Sequence, residues 1–151
     1  MTTIRILLAS ALLALLCACA SAPYAQRSNE RQAAYAAAAG APVRSFRFFD
    51  LYSWEPLGDR QVAIYTRPNE AWLLDLGGGC PDISFVNTIG LTSNLNQVMV
   101  GFDKVLTGRN DFPCTISQIR PVDVKSLKAN QLQQRQIKSE PRPADKPAAA
   151  Q

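Results

Sequence analysis

Residues 60–76, RQVAIYTRPNEAWLLDL, decide the fold class. Arg60–Thr66 places Val62 and Ile64 on one face and Gln61, Ala63 and Tyr65 on the other, the period-two pattern of a strand. Arg67-Pro68-Asn69-Glu70 has turn composition, because Pro presets its own φ and Asn tolerates turn geometry. Ala71–Leu76 then returns. The stretch predicts an antiparallel hairpin in which Val62, Ile64, Trp72 and Leu74 compete for the core.

Working outward, Ser45–Leu51 (SFRFFDL) reads as an aromatic-rich strand with Phe46 and Phe48 on one face. The run 51–59 reads as a loop, in which Trp54, ahead of Glu55-Pro56-Leu57-Gly58, and its neighbour Tyr52 form a candidate binding surface. Downstream, Gly77-Gly78-Gly79 breaks the hairpin, and Cys80-Pro81-Asp82 opens a loop toward a short strand at Ile83–Val86. Gln97–Leu106 alternates in part, with Val98, Val100 and Phe102 on one face, and Cys114–Ile119 forms a final strand. The predicted class is all-β, a small barrel or sandwich of about 5–6 antiparallel strands.

The N-terminus carries different information. Arg5 and the amino terminus precede Ile6–Leu16, an apolar run whose helix would rise only about 16 Å, roughly half a bilayer core. Residues 1–18 therefore read as an export signal and not a permanent span. Leu16-Cys17-Ala18-Cys19 has an aliphatic residue at −3 and a small one at −1, the pattern of a bacterial lipobox with Cys19 as the lipid-attachment residue. Plain secretion is the competing reading, since Ala18-Cys19-Ala20 and Ala20-Ser21-Ala22 both fit small-x-small cleavage. With Ala20 after the cysteine, a lipid-anchored chain is expected in the outer membrane facing the periplasm; otherwise it is soluble and periplasmic.

Within residues 19–44, the alanine-rich run 28–39, SNERQAAYAAAA, has high helix propensity and Ser28 as N-cap, and Gly40 and Pro42 stop it. Its alanine faces offer little to pack, so it reads as a helical spacer between membrane and domain. Residues 45–123 form the β-domain. Residues 124–151 read as a polar helix with an incomplete stripe of Leu127, Leu132 and Ile137, then a Pro- and Ala-rich tail lacking aromatics and expected to be disordered.

Charge and cysteine content narrow the function classes. The net charge of +4 comes from the flanks: residues 41–127 hold eight basic and nine acidic side chains. A polyanion-binding body concentrates its cations, so nucleic acid is not an expected partner. Cys80 and Cys114 are expected to pair in an oxidising compartment, the 34-residue separation being worth about 3–4 kcal/mol in the chain-entropy model. The chain holds no histidine and no CxxC, so neither a metal site nor a cofactor is expected. Gly77–Gly79 lacks the Lys-Ser/Thr of a phosphate loop and reads as a turn. Asp75, Asp82 and Asp103 are the carboxylates available to a hydrolase, but no two acids fall at motif spacing. Most of the aromatics are needed to build a core in so small a domain.

The order W-x-P-L (54–57), Y-T-R-P-N-E (65–70), W-L-L-D-L (72–76), C-P-D-I-x-F (80–85), G-F-D-K-V (101–105) and C-T-I-x-x-I-R-P-V (114–122) resembles a family of uncharacterised small exported proteobacterial proteins, often lipoproteins, with two body cysteines. The resemblance spans roughly residues 45–123. It implies an exported one-domain protein and no catalytic residues. The expected function is that of an exported, lipid-anchored periplasmic β-domain acting by binding, with the membrane and an envelope protein as partners. A small carboxylate-dependent hydrolase and a structural envelope spacer are the alternatives.

Overall fold

The computed structural model describes residues 26–108 and 112–139. The quoted hairpin is its centre. β3 (Gln61–Arg67) and β4 (Glu70–Gly77) pair antiparallel with Val62 opposite Leu74 and Ile64 opposite Trp72. Their alternation generates two buried faces. Val62, Ile64, Leu74 and Leu76 point to one, and Ala63, Ala71 and Leu73 point to the other. A strand buried on both sides explains why AWLLDL reads as a nearly continuous apolar run.

Around that hairpin the sheet is antiparallel and six-stranded, in the order β2-β3-β4-β8-β7-β5. β2 is Ser53–Pro56, β5 Gly90–Leu91, β7 Lys104–Leu106 and β8 Cys114–Val122. The first face is covered by a two-stranded ribbon of β1 (Ser45–Arg47) and β6 (Gln97–Met99), which contributes Phe46 and Val98 to the same apolar cluster as Ile64 and Ile119. Phe46 stacks on Trp72 with ring centroids 4.9 Å apart, an offset-stacked separation that contributes beyond area alone. The molecule is thus all-β in its body, a sheet faced by a ribbon.

The second face carries two helices. α1 (residues 26–38) and α2 (Val124–Ser139) bury Ala34, Tyr35, Val124 and Leu127 against Leu57, Ala63, Leu73 and Val122. This corrects the spacer reading of the alanine-rich segment. Alanine does not prevent docking; it lets the helix approach the sheet closely, and Tyr35, 1% exposed, supplies the bulk. The folded unit therefore begins before residue 45 and continues past residue 123. On α2, Leu127 is buried and Leu132 exposed, while the side chain of Ile137 and the tail from residue 140 lie outside the described residues.

Other local expectations also change. The loop reading of 51–59 gives way to edge strand β2, which takes up the free edge of β3 although Pro56 lacks a donor. Ile83–Val86 is not a strand: Pro81–Ser84 forms a 3₁₀ turn that drops Ile83 into the core. Gln97–Leu106 splits into β6 and β7 around Gly101, whose φ of +80° turns the chain and leaves Phe102 79% exposed. Gly77–Gly79 behaves as read, with φ of +78° and +83° at Gly78 and Gly79, a conformation glycine adopts without Cβ strain. That turn delivers Cys80, whose disulfide to Cys114 closes the end of the sheet where β4 finishes and β8 starts.

Candidate functional site

A cleft of about 600 Å³ opens between α1 and α2. It is lined by Arg27, Glu30, Arg31 and Ala34 from α1, Gln131, Gln134 and Arg135 from α2, and Glu55 from β2. Its position follows from the packing. Val124 and Leu127 near the start of α2 share an apolar cluster with Ala34 and Tyr35 of α1, and Gln131, Gln134 and Arg135 further along α2 line the cleft.

The wall of this cleft is built on a hydrogen-bond chain. The Tyr35 hydroxyl donates to Glu55 Oε2 at 2.6 Å, and the Tyr65 hydroxyl, 2.7 Å away, is then placed to donate to Tyr35. Glu55 Oε1 faces Arg31 Nη1 at 3.4 Å. Gln32 Nε2 donates to the Leu57 carbonyl and locks α1 to the β2–β3 turn. Burial, and then the bond to Glu55, push the Tyr35 phenol far above its ordinary value, and burial also raises Tyr65. Both therefore stay protonated donors through the physiological range. The lining carries both charge signs, with a carboxylate held in place by a buried donor, which suits a polar partner.

The acids singled out in the sequence are placed elsewhere. Asp75 accepts from Gln61 Nε2 at 2.5 Å and from Arg120 Nη2 at 3.2 and 3.3 Å, on the helix-facing side of the sheet. Asp103 is buried and accepts from Thr92 Oγ1 at 2.8 Å and from the Met99 amide at 2.7 Å, which closes the β6–β7 turn. Asp82 is exposed on the 3₁₀ turn. Asp75 and Asp103 thus belong to different elements and have scaffold partners.

Of the two aromatic candidates, Tyr52 is 62% exposed, whereas Trp54 is half-buried, pairs across from Ile64 and packs on the ribbon side. Cys19 lies outside the described residues; Cys80 and Cys114 form the disulfide. The cleft was missed in the sequence because its residues come from two segments read as spacer and tail. The signal was Tyr35, a lone bulky residue in an alanine helix.

Among the described residues no cluster of three metal-ligating side chains occurs, and no helix is long and apolar enough to cross a membrane. A two-layered β-body with helices on one face defines the class. The chain matches a family of unknown function (DUF6491) over residues 1–138 and belongs to that family. The match reaches beyond residues 45–123 and takes in α1 and nearly all of α2, the two elements that build the cleft. The chain matches no curated protein and no solved structure.

Proposed function

We propose that this protein is exported, tethered to the bacterial outer membrane through lipidated Cys19, and acts there by binding an envelope partner in the inter-helix cleft. The observation that carries the reading is where the charged side chains are spent. Asp75 and Asp103 serve the sheet and its turns, while Glu55, itself held by Tyr35 and Arg31, lines a concave surface together with Arg31 and the surrounding polar groups. A held carboxylate opposite arginines recognises a polar or charged segment of a partner. Docking of α1 also weakens the spacer alternative, because only six residues stand between Cys19 and residue 26, which already belongs to the docked helix.

Site-specific photo-crosslinking in cells tests this. A photoreactive residue at Gln134 is expected to give a discrete adduct with one envelope component, and the same residue at Tyr52 is not. Absence of any adduct from the cleft, together with substrate turnover by the purified chain, would overturn the binding reading.

A further inference from the structure

The end of the sheet closed by the disulfide carries large apolar side chains in water. Phe112 is 94% exposed and Phe85 85% exposed, and Leu106 is exposed between them in the topology. The register brings them to one end. β8 starts at Cys114, two residues after Phe112; β7 finishes there, with Val105 opposite Cys114; and β5 begins there, with Gly90 opposite Leu106. Phe85 caps the 3₁₀ turn that follows Cys80. None of the three contributes to either core cluster, so folding does not account for them. Phe49, Tyr52 and Phe102 are exposed elsewhere, but Phe112 and Phe85 are the two most exposed aromatics among the described residues. Apolar side chains brought together at one end mark a surface that leaves water when the protein is in place.

The direction of α1 says what covers it. Gln32 is bonded to Leu57 in the β2–β3 turn, at the disulfide end, whereas Gly40 donates to the Pro121 carbonyl and Ala39 bridges Val122 at the opposite end. The described chain thus begins toward the disulfide end, with residue 26 seven peptide steps from Cys19 in the sequence. Seven peptide steps span at most about 25 Å. A lipid on Cys19 therefore holds this end, and not the Tyr52 end, close to the bilayer.

We propose that the Phe85–Leu106–Phe112 tip docks on the lipid bilayer that holds the anchor, inserting its rings into the interface and fixing the body upright with the inter-helix cleft at its side. This rests on the Cys19 tether proposed above. Burying a phenylalanine ring changes a partition equilibrium by about tenfold or more, enough for two rings to bias the orientation of a tethered body.

The test is tryptophan quenching by lipids brominated on the acyl chains, in vesicles of phosphatidylethanolamine and phosphatidylglycerol. Phe112→Trp, Phe85→Trp and the opposite-end control Tyr52→Trp are each compared with the parent chain, which carries Trp54 and Trp72. Two tethers are used: the native processed chain, and the full mature chain with Cys19→Ser held by an added N-terminal hexahistidine on a nickel-chelating lipid. The second keeps the site of attachment without requiring acylation, so failure of the anchor and failure of docking are read separately. Quenching of the tryptophans at 85 and 112, with Tyr52→Trp unaffected, is expected with both tethers if Cys19 is acylated, and with the nickel tether regardless. No quenching at any position, equal quenching at all three, or a blue shift of the 85 and 112 tryptophans on raising protein concentration without lipid would overturn the proposal. The last outcome would assign the tip to a second copy of the chain.

Discussion

Replacing Tyr35 separates the two contributions by which α1 is joined to the sheet. Its ring is 1% exposed among Leu57, Ala63, Leu73 and Leu127, and truncation of a buried aromatic to alanine costs about 3–5 kcal/mol. Its hydroxyl adds a donor to a carboxylate, a bond worth about 1.5–3 kcal/mol in full burial. Glu55 keeps Arg31 at 3.4 Å and some water, so the lower part of that range applies. Tyr35→Phe should therefore cost about 1–2 kcal/mol and Tyr35→Ala about 4–5 kcal/mol. At roughly 4 °C per kcal/mol, the alanine variant melts about 16–20 °C below the parent. Urea unfolding of the oxidised chain, followed by tryptophan emission and far-UV dichroism together, reads both values from midpoints at constant slope. If Tyr35→Ala costs less than about 1 kcal/mol, α1 is a detached spacer, and the cleft and the tether geometry both fall.

The same tyrosine gives a pH signature. Its folded pKa is raised by burial above the unfolded value near 10, so its stabilisation is complete below that value and declines at higher pH, by about 1.4 kcal/mol per pH unit, as the unfolded chain ionises first. Urea midpoints between pH 9 and 11 should fall steeply in the parent and less in Tyr35→Phe; equal slopes would contradict the assignment. Reduction of Cys80–Cys114 should cost about 3–4 kcal/mol, as measured by unfolding with and without reductant. Asp75→Ala leaves Arg120 with one carboxylate fewer on a half-covered face and should cost about 1–2 kcal/mol, and Asp75→Asn should leave the cross-linking pattern unchanged. Asp123 caps α2 by accepting from the Lys125 and Ser126 amides, so Asp123→Ala should speed hydrogen exchange in that first turn and spare β8.

The sheet was legible where burial imposes a period. Val62, Ile64, Leu74 and the flanking turn residues mark β3 and β4 because each side chain must choose a face. The disulfide followed from there being two body cysteines and from the oxidising compartment expected of an exported chain. Elements whose identity depends on distant partners were not legible. Ser53–Pro56 becomes a strand because β3 offers an unpaired edge, and nothing in SWEP itself announces it. Residues 26–38 dock because a cleared sheet face of Ala63 and Ala71 awaits them, a property of another segment. Phe102 fails to bury because Gly101 reverses the chain and breaks the alternation that Val98 begins. The cleft inherits both difficulties, being made from two helices whose polar faces resemble ordinary solvated surface until α1 and α2 are set side by side.

The most direct measurement is the intact mass of the mature chain taken from its native membrane fraction. The account predicts a chain that starts at Cys19 and carries added acyl mass, with a further gain of two hydrogens on reduction. A lipid-free chain starting at Ser21 or Pro23 would contradict the tether, and with it the placement of the protein at the membrane.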